Sequence, residues 1–529
     1  MEEMLGVMLD CSRNGVMKVE SVKAYADMLA QMGYNTLMLY TEDTYQVDGQ
    51  PYFGHLRGRY SKEELKELDD YCFRKGLTLI PCIQTLAHLN NLFKWERVYG
   101  GIRDTADILL AGEPETYRLI EDMFATLAQC FRSRRVHIGM DEAYLVGLGN
   151  YLQKHGVQDR FSIIHAHLCR VCEIAASYGF RPMIWSDMFC KLAQNTGDYY
   201  TSARDTAAIT QRARLPEQVE LVYWDYYSTE YSRYVDMIRT NQLFGKEVIF
   251  AGGAWTWKGF SPDNGFSIAA TGQAMRACRD CGVRQVFFTV WGDDGNECSR
   301  FAVAPALLYA AQAYHGEVDM AALEDRFYQI MGVSYRDWML LDKLQLPGWG
   351  ENDTSKALVY NDVFSGLVDH RCREEDEEYY ADLACQLEAI GETGDYGWLF
   401  ASYAALCRLL SVKAALGLRT RHAYQAGDRE ALQELTTRRY PQAIEAMEAF
   451  HKSLRERWFR ENKPHGFDVQ DIRLGGSIQR LKSCRERLSL YLDGTVDRIE
   501  ELEEATLPED FAVYHWNRLA TPNSIFMGV

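Results

Sequence analysis

Two acids stand side by side at the end of an apolar run in Arg134-Arg135-Val136-His137-Ile138-Gly139-Met140-Asp141-Glu142-Ala143-Tyr144. The β-branched Val136 and Ile138 predict a buried strand over Val136–Asp141 that delivers both carboxyls at its C-terminal end. Gly139 removes a side chain where another group comes close. Adjacent carboxylates repel, so one tends to keep its proton while its neighbour ionises, which is the condition for acid/base chemistry near neutral pH. An Asp-Glu pair that merely opened a solvated loop would do none of this, and the apolar strand before it argues against that reading.

A second chemistry has to be weighed. Two Cys-x-x-Cys pairs, Cys169/Cys172 and Cys278/Cys281, have zinc-ligand spacing. Both lie in helix-like segments far apart in the chain, and His167 falls nearly opposite the helical face shared by His165, Cys169 and Cys172. Core packing is therefore the expectation, with no metal and no cofactor.

The elements that must position the acids follow from periodicity. Strand patterns fall at Leu5–Asp10, Thr36–Thr41, Leu77–Gln84, Val136–Asp141, Met183–Asp187, Glu220–Asp225, Val248–Gly252 and Gln285–Trp291. Amphipathic helical patterns separate them, including Val19–Met32, Lys62–Lys75, Glu115–Phe131, Phe161–Tyr178, Tyr231–Phe244 and Ser267–Cys281, and Ala302–Ala313 follows the last strand. The helical pattern is weakest between Cys190 and Leu215. Eight strand-helix units over residues 1–317 predict an α/β fold, a (β/α)8 barrel, because an open doubly wound sheet more often stops sooner.

Barrels of this kind carry their sites at the C-terminal strand ends, and polar and aromatic residues collect there. Asp10 and Arg13 follow the first strand, Gln84 and His88 the third, and Asp141 and Glu142 the fourth. Trp185 and Asp187 end the fifth, while Trp224, Asp225 and Tyr226 end the sixth. Trp255 and Trp257 follow the seventh, and Trp291, Asp293, Asp294 and Glu297 end or follow the eighth. Indole faces with a few carboxylates and one guanidinium suit a sugar, whose C–H faces stack while its hydroxyls take charged partners. Tryptophans from four successive strand ends would enclose a single ring, so a shallow exo-type pocket is expected.

Charge narrows the partners. A formal net charge of −18 argues against nucleic acid or an anionic membrane, both of which would repel the chain, and a neutral substrate, here a small glycan facing the aromatic strand ends, suits it better. The N-terminus carries acids where a signal peptide has bases, and no apolar run nears the length of a membrane span, so a cytoplasmic protein is expected. The 14 dispersed cysteines are read as reduced, mostly buried thiols.

Asp10-Cys11-Ser12-Arg13, the stretch from Ile80-Pro81 to His88, and above all His137-Ile138-Gly139-Met140-Asp141-Glu142 resemble family 20 of the glycoside hydrolases, the β-N-acetylhexosaminidases. The resemblance implies an exo-acting retaining enzyme that removes terminal β-linked 2-acetamido sugars. Glu142 would be the general acid/base, and Asp141 would orient and charge-stabilise the substrate's acetamido group, which itself attacks the anomeric carbon through an oxazoline intermediate. Arg13 would hold the 3- and 4-hydroxyls and Tyr226 the acetamido oxygen. Trp185, Trp224, Trp255 and Trp291 would wall the pocket, and Asp293, or else Glu297, would take the distal hydroxyls. His88 and His137 would support the acids.

Two departures from the family pattern stand out. Met140 replaces a small residue, and Gln84-Thr85-Leu86-Ala87 replaces an acid followed by Pro-Gly, which leaves the charge partner of His88 open. The small sheet domain that often precedes the barrel is expected to be absent, since the first strand pattern begins within ten residues of Met1.

From about Val318 the strand signal ends and long amphipathic helices follow, at Met320–Ile330, Glu374–Ile390, Tyr403–Leu416, Pro441–Phe459 and Ser477–Glu504. Residues 318–529 are expected to form a helical domain without a catalytic constellation, which packs on the barrel and is also open to dimerisation or to restricting the pocket. The aromatic tail after Leu507 is expected to dock on the protein. Two alternatives of other kinds stay in view: a silent barrel that binds amino sugars, and another barrel glycosidase acting within chains of 2-acetamido sugars.

Overall fold

In the computed structural model, residues 3–194, 214–349, 354–391 and 394–508 are described. Eight parallel strands close into a barrel in sequence order: β1 Met4–Asp10, β2 Thr36–Glu42, β3 Thr78–Ile83, β4 Arg135–His137, β5 Arg181–Trp185, β6 Glu220–Trp224, β7 Val248–Gly253 and β8 Gln285–Val290. The seam is a six-residue pairing of β1 with β8, from Met4 opposite Gln285 to Leu9 opposite Val290. The expected barrel is therefore present.

Alternation along each strand sorts side chains between two cores. On β1, Met4 and Met8 point inward with Met38, Ile80, Met183, Val222, Ile249 and Phe287 to fill the barrel. Leu5, Val7 and Leu9 point outward into the layer beneath the helices. Those helices run where the amphipathic patterns lay, for example Val19–Met32, Pro114–Cys130, Arg160–Ser177 and Asn264–Asp280. Local signals set their ends. Ser61 accepts from the Glu64 N–H while Glu64 accepts from the Ser61 N–H, a capping box that starts Lys62–Arg74. The weak helical pattern between Cys190 and Leu215 falls mostly outside the described residues; Asp187–Gln194 is helical.

One strand differs from expectation in a way that matters. β4 ends at His137 and not at Asp141, because the chain leaves the extended region at Gly139 (φ 72°) and Met140 (φ 71°). The acid pair therefore stands on a turn above the strand.

Beyond β8 come Ala304–His315 and the long helices Glu375–Gly391, Gly397–Lys413, Tyr440–Glu461 and Phe467–Leu492. Contrary to the expectation that no apolar run nears that length, the stretch Gly397–Gln425 is long and apolar enough to cross a membrane, with a mean hydropathy of 1.5 in its most apolar window, but 72% of that window is buried inside the protein. It is the core of the helical part, set among apolar faces of its neighbours. The aromatic tail lies outside the described residues apart from Pro508.

Candidate active site

The turn after β4 is held by three side chains, one from the end of β4 itself and two from the ends of β3 and β5. His137 Nδ1 accepts the Gly139 N–H at 3.1 Å, Gln84 Oε1 accepts the Met140 N–H at 3.2 Å, and Asp187 Oδ2 accepts the Glu142 N–H at 2.9 Å. These bonds offset a backbone cost. Met140 and Glu142 (φ 50°) both sit in the left-handed region, which costs non-glycine residues roughly 1–3 kcal/mol each. As a result the two carboxyls point to different surroundings: the Asp141 side chain is 12% exposed and the Glu142 side chain 42%.

Each oxygen of Asp141 accepts one hydrogen bond within the protein. Its Oδ1 accepts from Gln84 Nε2 at 2.7 Å and its Oδ2 from His88 Nε2 at 3.1 Å. Burial alone would raise its pKa, but the His88 charge and the two hydrogen bonds outweigh it and hold the carboxyl down at about 2. His88 answers in kind. Burial disfavours its charge, yet the Asp141 carboxylate carries its pKa up to about 9. The pair is an ionised carboxylate against an imidazolium, which identifies Asp141 as the charge partner of His88. His88 Nε2 is also 3.7 Å from Glu142 Oε2.

His137 plays a different part. Burial drives its pKa down to about 3, so it is neutral, and its ring packs 4.4 Å from that of Trp185. Asp187 is the opposite of Asp141: burial first, then the nearby Asp141 charge, pushes its pKa up to about 8. It holds its proton at neutral pH, one backbone turn from Glu142.

Arg13 organises the other side of the mouth. Its guanidinium lies 3.3 Å from Glu42 Oε1, 3.6 Å from Asp10 Oδ2 and 3.8 Å from Asp293 Oδ1, and over the rings of Tyr40 and Trp291. Asp10 in turn accepts from the N–H groups of Ser12, Arg13 and Gly292, which ties the β1 and β8 ends together. The buried Arg300 adds to this tie by donating to the Trp291 carbonyl at 2.6 Å and to the Asp10 carbonyl at 3.3 Å.

The aromatic residues form one continuous wall. Trp185 faces Trp291 at 6.4 Å, Tyr226 stacks on Trp224 at 5.1 Å and lies 5.6 Å from Trp257, and Trp257 lies 4.6 Å from Trp255. Trp255 Nε1 donates to the Tyr226 carbonyl at 2.9 Å, fixing the β6 and β7 ends.

Of the residues expected at the site, Arg13, His88, His137, Asp141, Glu142, Trp185, Trp224, Tyr226, Trp255, Trp291 and Asp293 all stand at the C-terminal mouth. Glu297 is a correction. Its side chain is 1% exposed, and its carboxylate is taken by Lys356 Nζ at 2.8 Å, Arg473 at 2.9 Å and the Tyr360 hydroxyl at 3.2 Å. It joins the barrel to the C-terminal helices and has no face left for a sugar. Sequence reasoning missed Tyr40, Glu42 and Arg300. The Tyr40 hydroxyl accepts from Gln84 Nε2 at 2.8 Å and donates to Glu42 at 3.2 Å. An acid closing an apolar strand, as Glu42 does, was the signal for that cluster.

An ionised Asp141 and a proton-holding Asp187 on either side of the Glu142 turn, a guanidinium among acids and an aromatic wall, all at the C-terminal mouth of a (β/α)8 barrel, define a barrel equipped for acid/base chemistry. The model of the glycosyl hydrolase family 20 catalytic domain matches residues 4–243, and that of the glycoside hydrolase 20C C-terminal domain matches residues 336–515. The chain belongs to glycoside hydrolase family 20.

Among curated proteins it is similar to hexosaminidase D of Homo sapiens, with 25% identity over 218 residues, which is 40% of this chain and 42% of that protein. It is also similar to a beta-hexosaminidase of Akkermansia muciniphila, with 28% identity over 167 residues, 26% of this chain and 34% of that protein. The matched stretch thus spans less than half of either relative. A solved chitobiase structure from Flavobacterium johnsoniae aligns at 14% identity with a TM-score of 0.47, covering 86% of this chain and 78% of that one.

Proposed function

We propose that the chain is an exo-acting, retaining β-N-acetylhexosaminidase that removes terminal non-reducing β-linked 2-acetamido sugars with the substrate's own acetamido oxygen as nucleophile. The observation that carries this is the divergence of two neighbouring carboxyls: Asp141 buried, doubly hydrogen-bonded and ionised, Glu142 open to the mouth. A conventional retaining pair needs carboxyls roughly 5–5.5 Å apart on opposite sides of the scissile bond, one of them a free nucleophile. Asp141 is held too tightly by Gln84 and His88 to attack. It is suited to steadying positive charge that grows on a neighbouring group.

In this reading Glu142 gives its proton to the departing oxygen, and the acetamido oxygen closes on the anomeric carbon from the other face. Asp141 accepts from the acetamido N–H as the oxazolinium charge forms, while Tyr226 orients the acetamido oxygen. Glu142 then takes a proton from water, which opens the ring with net retention. Arg13 and Asp293 hold ring hydroxyls, and Trp185, Trp224, Trp255 and Trp291 enclose the ring. Family membership and the hexosaminidase names of the relatives support the substrate class. The net charge of −18 and the 14 free cysteines support a neutral glycan met in a reducing, cytoplasmic setting.

The test is chromophore release from aryl 2-acetamido-2-deoxy-β-glucosides and galactosides, compared with aryl β-glucosides. Release from the acetamido substrates alone is expected. Release from both alike, or from neither, would overturn the reading.

A further inference from the structure

The residue that follows Arg13 is tied to the far end of the chain. Asn14, in the left-handed region at φ 71°, donates through its single Nδ2 amide to the Gly295 carbonyl at 3.0 Å and to the Gly466 carbonyl at 2.8 Å. One amide therefore joins three segments: the β1 end carrying Arg13, the β8 end carrying Asp293, and the start of helix Phe467–Leu492.

The same junction is fastened from the helical side. Gln470 Nε2 donates to the Gly295 carbonyl at 2.9 Å, so that carbonyl is held from both directions. Arg473 and Lys356 grip Glu297, and Arg457 donates to the Glu297 carbonyl. On the β1 side, Lys463 N–H donates to the Val16 carbonyl at 2.7 Å, and Lys18 N–H to the Glu461 carbonyl at 3.0 Å. The fit leaves no slack, since a Cβ on Gly466 would fall 2.1 Å from the Asn14 carbonyl oxygen and one on Gly295 would fall 2.6 Å from an Arg473 nitrogen.

We infer that the stretch Glu461–Arg473 of the helical part is a splint that fixes the spacing of Arg13 and Asp293, and through them the discrimination of ring hydroxyls. The inference rests on the proposed sugar site. Asp10 and Arg300 already join the β1 and β8 ends at Gly292 and Trp291, and the splint adds the hold on the loop residues beyond them, at Asn14, Gly295 and Glu297. The Asp141–Glu142 turn is held by Gln84, His137 and Asp187, none of which touches the splint. Loosening the splint should therefore weaken hydroxyl recognition and leave the acid chemistry intact. Gln470 and Arg473 are positioning residues, since they act through Gly295 and Glu297.

The test uses the full chain with Gln470→Ala, Arg473→Met and Arg473→Lys, each checked for parent-like circular dichroism. KM and kcat are read on aryl 2-acetamido-β-glucoside and its 4-epimer, and affinity for N-acetylglucosamine and N-acetylgalactosamine is read by calorimetry. In Gln470→Ala and Arg473→Met, KM should rise about fivefold or more with kcat within about twofold, the signature of lost uniform binding. The ratio of kcat/KM for the two epimers should move toward one, and Arg473→Lys should recover part of it. Parent-like KM and epimer ratio in folded variants, or a fall in kcat with KM unchanged, would overturn the inference. If the parent turns over neither substrate, the proposed activity fails, and the calorimetric epimer ratio in the variants still decides on the splint.

Discussion

His88 Nε2 stands 3.1 Å from Asp141 Oδ2 and 3.7 Å from Glu142 Oε2, so one imidazolium serves both members of the acid pair. Its charge holds Asp141 ionised while Glu142 remains open to the mouth. Neighbours in sequence thereby acquire different chemistry from a single shared partner.

Gln84 is the second support of Asp141 and stands where the family commonly has an acid. Its amide donates to Asp141 and to the Tyr40 hydroxyl while its carbonyl accepts the Met140 N–H. Gln84→Leu removes a hydrogen bond to a charged group, worth about 1.5–3 kcal/mol, so kcat/KM should fall about tenfold to a hundredfold. Because the lost bond lowers the Asp141 pKa, the acid limb of the pH–rate profile should move to higher pH. An unmoved limb would mean that the amide does not tune the carboxylate.

Gly139 permits the turn itself. It sits at φ 72°, and a Cβ there would lie 2.0 Å from Gln84 Oε1. Gly139→Ala therefore meets both backbone strain and a clash, for a loss of roughly 2–4 kcal/mol in denaturant unfolding. Parent-like stability would show that the turn has another conformation available.

Asp187 gives a pH signature in stability. Its folded pKa of about 8 lies above the ordinary aspartate value of 3.8, so it binds more protons folded than unfolded between those limits, and its contribution is fully present below 3.8 and lost as pH rises through about 8. Asp187→Asn keeps an acceptor for the Glu142 N–H and does not titrate. The variant should gain stability relative to the parent as pH is raised from 5 to 8, read as the difference in unfolding midpoints. A constant difference across that range would refute the proton on Asp187.

The barrel was legible because its signals are local. Strand and helix periodicities repeat eight times, and the structure shifts most of their ends by only a residue or two. β4 reads too long from sequence because Val136, Ile138 and Met140 look like one apolar run, and the bonds from His137 within the turn and from Gln84 across the barrel mark where the strand gives way. The partner of His88 is hidden from sequence for the same reason. An Asp that precedes the acid by one residue reaches back to His88 only through left-handed backbone, which sequence does not display. Glu297 looks like a site acid in sequence because the cations that claim it, Lys356 and Arg473, come from the helical part of the chain.

Glu142 is assigned the proton transfer, and leaving-group dependence tests that role. Glu142→Gln should lose orders of magnitude in turnover on poor leaving groups and far less on activated aryl glycosides, which depart without a proton. Equal losses on both would point to misfolding or to another role for the residue.

The most direct test falls on Asp141, whose charge is proposed to matter most as the oxazolinium forms. Asp141→Asn keeps the shape and removes the charge, so kcat should fall by something on the order of 10²–10³, the scale of one preorganised electrostatic contact, while KM changes little. The variant should bind a thiazoline mimic of the cyclised intermediate much more weakly than the parent, with affinity for the simple sugar product nearly unchanged. Parent-like kcat in Asp141→Asn, together with undiminished thiazoline binding, would contradict catalysis by the substrate's own acetamido group.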